Sequence, residues 1–429
     1  MAAVSFQGDS MAKVKHPVRR FFAALGPGVI TGAADDDPSG IATFSIAGAR
    51  FGTAFLWTAL LTWPLMAAVQ MMCARIGMVT GCGLARNLLS RFPRSLLILV
   101  SLGLLAANSL NIAADLSGMA DAASMLTGLS SHYFVCAFAL LIVAATIWLR
   151  YQQISRILKW LALVLIAYVI TALLLHPHWG QVLHDSFVPS LPKTKDGWST
   201  LVALLGTTIS PYLFFWQTSQ EVEEEKAMGR TSEELRRGAT EAEILDRKLD
   251  VGFGTFSSNL VMFFVILATA LALHAHGKTD IQSSREAASA LEPLAGRAAS
   301  LLYTVGIFGV GFLAIPTLSA SAAYAISDTF RWRQGLGRKL VRAREFYSII
   351  VISTLLGVGL DFFKVNAIRI LFWSAVINGL LAPLLLVGIL IVAADARVMQ
   401  AQPSSRLSQA VVGLTALLML AAAVGMFVF

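Results

Sequence analysis

The sequence predicts an all-α, polytopic membrane protein. Only 14% of its 429 residues are charged and 56% are hydrophobic, with a mean hydropathy of +0.70, whereas a soluble chain of this size is nearer a quarter charged. Apolar segments of at least 17 residues recur along the chain, each bounded by charge or by Gly/Pro clusters. Lys and Arg, finally, are spread unevenly between alternate loops.

Eleven spans follow, at 21–49, 52–74, 95–115, 132–149, 157–175, 199–217, 251–273, 299–327, 346–362, 367–393 and 407–428. With the amino terminus inside, the tail 1–20 and the 75–94, 150–159, 218–250, 329–345 and 394–406 segments hold 25 Lys and Arg, against 8 on the opposite side. That ratio orients the chain with its amino terminus in the cytoplasm and its carboxyl terminus outside. The first twenty residues are basic (Lys13, Lys15, Arg19, Arg20) but lack a small-residue cleavage site, so they read as a cytoplasmic tail. The 218–250 loop reads as a solvated helical extension laced with opposite charges, among them Glu233, Arg237 and Arg247.

Two spans are broken. In the first, Asp35-Asp36-Asp37 and Pro38-Ser39-Gly40 interrupt a stretch nearly free of charge. The fourteen residues from Phe21 to Ala34 rise about 21 Å as a helix, which puts the acids well inside the hydrocarbon. A carboxylate there costs roughly 2.5–3.5 kcal/mol even on the lenient insertion scale, so these side chains line a wet cavity or bind a cation. In the sixth, Gly206-Thr207-Thr208-Ile209-Ser210-Pro211 interrupts the run between Trp198 and Trp216. Gly/Pro-broken helices at corresponding positions of two five-span blocks predict an inverted-repeat transporter with its site at the midplane. The blocks are 21–176 and 199–393, with an extra helix at 407–428.

Proline removes a backbone donor, so Pro38 frees the carbonyl of Ala34 and Pro211 that of Thr207. Asp37, and Asp36 beside it, supply carboxylates; Thr207, Thr208 and Ser210 supply hydroxyls. Oxygen-only coordination with carboxylate suits hard divalent cations. Consecutive residues point about 100° apart on a helix, so the three aspartates cannot share a face, and at least one of Asp35 and Asp36 faces a vestibule. Asn108, Asn111 and Asp115 share a face of the third span, lining a cavity or bonding to a neighbouring helix. Asn378 in the tenth span reads the same way. The loop histidines His176, His178, His184, His274 and His276 lack ligand spacing. Cys73, Cys82 and Cys136 form no disulfide framework and no metal motif. No nucleophile–base pair is present, and an enzyme is excluded.

Asp37-Pro38-Ser39-Gly40 resembles the first-helix Asp-Pro-Gly-Asn signature of the Nramp family of divalent-metal transporters. The run Arg75-Ile76-Gly77-Met78-Val79-Thr80-Gly81 with Leu84-Ala85, Gln70 in the second span, and Ala114-Asp115-Leu116 in the third resemble that family too. The likeness covers most of the chain and implies a LeuT-like fold: an inverted 5+5 repeat with broken first and sixth helices plus one extra helix. The departures are specific. Gly40 replaces the signature asparagine, Ser210-Pro211-Tyr212 replaces Met-Pro-His, Gln217 replaces a second histidine, and Gly118 stands where the family has an acid. Losing the thioether removes the ligand that favours softer metals, and losing both histidines removes the groups that titrate near neutral pH. The pattern resembles the Nramp-related magnesium transporter branch.

The expected function is therefore import of Mg2+ and/or Mn2+ by alternating access, without proton coupling. Asp37, Asp36, Ala34, Thr207, Thr208 and Ser210 form the metal site, and Asp115, Asn108, Asn111, Asn378, Gln217 and Tyr212 line the pathway. A proton-coupled Mn2+/Fe2+ symporter and a small-organic-solute symporter of the same fold are the alternatives. The expected partners are the cation and the lipid bilayer, with no nucleic acid, no obligate protein partner and no cofactor. The expected home is a bacterial inner membrane.

Overall fold

A computed structural model describes residues 26–148, 163–361 and 366–428. The expected tail 1–20, residues 21–25 of the first span, the 150–159 turn with the start of the fifth span, and Lys364 lie outside the described residues. Among the described residues every regular element is helical. The described residues open with α1 (Pro27–Asp35), α2 (Pro38–Phe51), α3 (Leu56–Thr80), a short α4 (Leu84–Leu88), α5 (Arg94–Thr127) and α6 (Ser131–Trp148). There follow α7 (Ile166–Leu174), α8 (Trp179–Phe187), α9 (Lys195–Thr208), α10 (Pro211–Ala227) and α11 (Glu241–Ala272). The remainder holds α12 (Ser284–Ser289), α13 (Glu292–Ala295), α14 (Ala299–Phe330), α15 (Arg344–Asp361), α16 (Ala367–Ala394) and α17 (Arg406–Val428).

Eight helical stretches among the described residues are long and apolar enough to cross a membrane, including α9 continued by α10, and α11. The first, fifth and ninth expected spans fall short of that description for different reasons. The first is split into helices of 9 and 14 residues. The fifth begins outside the described residues. The ninth, α15, is 18 residues long and carries Arg344, Glu345 and Asp361 at its ends.

Boundaries differ from the sequence reading where caps lie beyond the apolar run. α3 continues past residue 74 to Thr80 and stops at Gly81, whose φ of 65° is left-handed. α5 continues past residue 115 to Thr127, so Asp115 sits mid-helix and not at an end. The 218–250 segment is corrected more deeply. It is not one solvated helix: α10 runs on to Ala227, α11 starts at Glu241 behind a Thr240/Glu243 capping box, and a loop with one 3-10 turn (Glu234–Arg236) joins them. Glu221, Glu225, Arg236, Arg247 and Asp250 are buried: Arg247 pairs with Glu221 and Asp250, Glu225 with Arg230, and Arg236 donates to the Gly81, Arg230 and Thr231 carbonyls.

Glycines bring the broken helices against long ones at backbone distance. A Cβ on Gly32 of α1 would lie 2.3 Å from the Gly254 carbonyl oxygen of α11, and one on Gly48 of α2 would lie 2.3 Å from the Ile266 oxygen. A Cβ on Gly206 of α9 would lie 2.2 Å from the Ala375 oxygen of α16. Small residues permit such approaches in membranes. Gly32→Ala is therefore expected to destabilise the protein by about 1–3 kcal/mol through overpacking. Thermal unfolding in detergent checks this: the Gly32→Ala midpoint should fall. Gly103→Ala, where a Cβ meets nothing within 4 Å, should hold or gain stability.

Candidate metal centre

The two helix breaks have the same local cause and nearly the same backbone. In each, a proline stands at the first position of the second half-helix, where its missing N–H costs nothing: Pro38 in α2 and Pro211 in α10. The residue ending the first half-helix turns out of the helical region, with ψ of 50° at Asp36 and 61° at Ile209. The next residue is extended, with ψ of 169° at Asp37 and 131° at Ser210.

Asp37 caps α2, its Oδ1 accepting from the Gly40 N–H at 2.6 Å. The amino end of a helix carries partial positive charge, so the carboxylate is fixed in place without being neutralised. Gly40 marks where the oxygens meet. Its Cβ position lies 3.1 Å from Thr207 Oγ1, 3.3 Å from the Asp35 carbonyl oxygen and 3.4 Å from Asp37 Oδ1. Both halves of the molecule thus contribute oxygen to one point, and a larger side chain at residue 40 would fill it. The surrounding groups are closed off: Asp37 and Thr207 are each 3% exposed and Ser210 is 1% exposed.

The carbonyls expected to be free are in use. Ala34 O accepts from Tyr212 Oη at 3.0 Å, and the single Ser210 hydroxyl proton is shared between Gly206 O at 2.8 Å and Thr207 O at 2.9 Å. Each keeps a second lone pair, so each remains a candidate ligand, tied to a hydroxyl. Tyr212 also neighbours the Asp37 carboxylate and joins α10 to α1 across the breaks. Thr208 is turned into its own helix, donating to Leu204 O at 2.9 Å, as helical threonines do.

Asp36 is drawn aside with Asp35. Asp35 Oδ2 and Asp36 Oδ1 lie 2.9 Å and 3.0 Å from the Ser258 hydroxyl of α11. The expected exposure of one of them to a vestibule is corrected, since Asp35 is 0% and Asp36 5% exposed. Neither Ser258 nor the Asp35 carbonyl was singled out from the sequence; the polar trio Ser257-Ser258-Asn259 inside an apolar span was the available signal.

The pathway residues divide. Asp115 is an electrostatic neighbour of Asp37 and is reached by the Ser39 backbone amide, while both polar atoms of the Asn111 side chain are buried without a hydrogen-bond partner. Asn108 takes the inter-helix role instead, donating to Leu318 O of α14 at 2.8 Å. Asn378 is buried on α16. Gln217 accepts from Thr31 Oγ1 at 2.5 Å and donates to Glu221 at 2.7 Å, which makes it part of an ionic network and not of the break. In that network Arg247 meets Glu221 at 2.8 Å, Asp250 at 2.5 Å and Glu224. Asp250 in turn accepts from the backbone N–H groups of Gly26, Gly28 and Val29 at 2.8, 2.7 and 3.1 Å. It is the cap of α1, supplied by α11.

On the other side of the break, Ala42, Ile46, Ala114, Ile368 and Leu371 form an apolar cluster. Ile46 and Ile368 also line a cavity of about 390 Å³ with Arg50, Asp196, Arg369 and Trp373. Arg50 bonds Asp280 at 2.9 Å; hydrogen bonds from Gln282 and Arg50 hold the Asp280 carboxyl below the usual range. Among the described residues no group of three or more His, Cys, Asp and Glu side chains is arranged to hold a metal ion, so any ion here depends on hydroxyls and carbonyls beside Asp37.

Residues 28–429 match the family described as natural resistance-associated macrophage protein-like, or Nramp. The chain belongs to the Nramp family. A relative called divalent metal cation transporter MntH, from Erwinia tasmaniensis, is 27% identical over 305 residues, covering 68% of each chain. Another of that name, from Caldanaerobacter subterraneus, is 24% identical over 396 residues, covering 89% of this chain and 87% of its own. Among solved structures, a manganese transporter of Eremococcus coleocola superposes with a TM-score of 0.68 at 18% identity, over 99% of this chain and 92% of that one. Mhp1, a nucleobase-cation-symport-1 family transporter, superposes at 0.55 with 13% identity, over 94% and 92%. The protein is thus an all-helical, polytopic membrane protein of LeuT-like fold, in a family of transporters and not of enzymes.

The Nramp-like run after the second span has structural work. Arg75 donates to the Gln402 and Pro403 carbonyls at 3.3 and 3.4 Å. Gly77 admits the Thr218 carbonyl, which would lie 2.5 Å from a Cβ, and Gly81 supplies the left-handed stop. Tyr212→Phe would strip the Ala34 carbonyl of its donor and cost about 1–3 kcal/mol. A lowered thermal midpoint is expected, and an unchanged one would mean that Ala34 O is satisfied by another donor.

Proposed function

We propose that this Nramp protein imports a hard divalent cation, Mg2+ or Mn2+, by alternating access around the paired helix breaks. The observation that carries the reading is the donor set. Asp37, the Thr207 hydroxyl and the Asp35 carbonyl converge, with Ala34, Ser210 and Tyr212 adjoining, and all of these donors are oxygen. Sulfur, which would favour softer transition metals, is missing from the position after Ile209, where Ser210 stands. Mg2+ is bound through oxygen ligands, and Gly40 places no side chain among these oxygens. The names of the relatives, divalent metal cation transporters and a manganese transporter, support the divalent class.

In this reading the chain is an inverted repeat of 21–176 and 199–393 with an eleventh helix at 407–428, its amino terminus cytoplasmic and its carboxyl terminus outside. The membrane potential, inside negative, favours uptake by about 2.3 kcal/mol per charge per 100 mV, so import requires no proton. Asp37 anchors the ion, and the apolar cluster of Ala42, Ile46, Ala114, Ile368 and Leu371 separates it from the cavity around Arg50. A second reading, a proton-coupled Mn2+/Fe2+ symporter, draws on the name of the manganese transporter and on Asp115, buried beside Asp37.

Purified protein in liposomes, with internal dyes for Mg2+, Mn2+ and pH, separates the two. Mg2+ uptake without internal acidification is expected, and Asp37→Ala should reduce it to the level of empty liposomes while the protein stays monodisperse. Uptake of Mn2+ but not Mg2+, accompanied by acidification, would establish the second reading instead.

A further inference from the structure

The Asp35 carbonyl belongs to the converging oxygens of the metal centre, but the side chains of Asp35, Asp36 and Ser258 do not, and the proposed function leaves them unused. Asp35 Oδ2 and Asp36 Oδ1 are 2.9 Å and 3.0 Å from the same Ser258 oxygen. A serine hydroxyl has one proton to donate, so it satisfies one of the two carboxylates and leaves the other facing a lone pair. Asp35 Oδ1 is buried with no hydrogen-bond partner at all. The electrostatic neighbours of Asp35 are Asp36 and Asp37, and among the described residues neither Asp35 nor Asp36 forms an ion pair with a basic side chain. A buried carboxylate without a paired charge is strongly unfavourable, and here two adjoin.

We propose that Asp35, Asp36 and Ser258 form a second divalent-cation site, beside the Asp37 site on the α1–α11 side of the break. The inference rests on the reading of this chain as a divalent-cation carrier. The ligand is the same class of ion as the cargo. Two carboxylates balance one divalent charge, and two carboxylate oxygens with one hydroxyl oxygen supply half of an octahedral shell, the remainder being water. The site belongs to α1 and α11, which are also joined by the Gly32–Gly254 contact and the Asp250 cap, so an ion there bridges elements already held together.

Counting bound Mn2+ on the purified full-length protein tests this, by equilibrium dialysis with metal analysis and by electron paramagnetic resonance of the bound ions. Two Mn2+ per chain are expected, with the line broadening of neighbouring spins. The Asp35→Asn/Asp36→Asn double variant and, independently, Ser258→Ala should each drop the count to one and remove the broadening. Asp37→Asn should leave one ion, held by the new site. One Mn2+ in the unaltered protein, lost in Asp37→Asn and kept in Ser258→Ala, would overturn the second site and leave the proposed function standing. No bound Mn2+ or Mg2+ in any variant would overturn the proposed function itself, and the second site with it.

Discussion

Everything in this molecule turns on one requirement: inside hydrocarbon, a backbone that leaves the helix must find its hydrogen bonds within the protein. Two breaks set Ala34, Asp35, Thr207 and their neighbours free of the helical ladder, and the structure answers with hydroxyls. Tyr212 reaches Ala34 from the opposite half, and Ser210 folds back on Thr207. These bonds are made by groups with lone pairs to spare, so under the proposed function what repairs the backbone also furnishes ligands. The same residues cannot be read as either scaffold or site alone.

The charges obey a similar economy. Asp37 is held by an amide at the amino end of α2, while Arg247, the nearest cation along the ionic network, is already engaged by Glu221, Glu224 and Asp250. The positive side chains at the other end, Arg50 and Arg369, stand beyond an apolar cluster. Among the described residues no basic side chain is therefore paired with the acids at the break. Under the proposed function this matters, because a permanent salt bridge there would compete with the cargo at every cycle.

The spans were legible because hydrocarbon imposes length and apolarity on every crossing helix, and the breaks because Pro38 and Pro211 are visible in the sequence. Asp37, Thr207 and Tyr212 are neighbours in space, while the Ser210 hydroxyl turns back to its own half-helix. Three-dimensional pairing was not legible. Nothing local in the sequence joins Ser258 to Asp35, some 220 residues away, or Asp250 to Gly28. The charged stretch 218–250 misled for the same reason: its mixed signs match a solvated helix equally well, and only tertiary contacts reveal that Arg247 and Glu221 are buried. Helix ends were misjudged where a cap such as Gly81, and not hydropathy, sets the stop.

The Asp250 carboxylate receives three backbone N–H groups of α1 and the Arg247 guanidinium at once. Four bonds that converge on one pair of oxygens cannot be broken singly with much effect, because each survivor keeps the carboxylate in position for the others. The amino end of α1 therefore behaves as a cooperative, all-or-none catch. It is seated or released as a unit, with few stable intermediate positions, and gradual fraying of this end is suppressed.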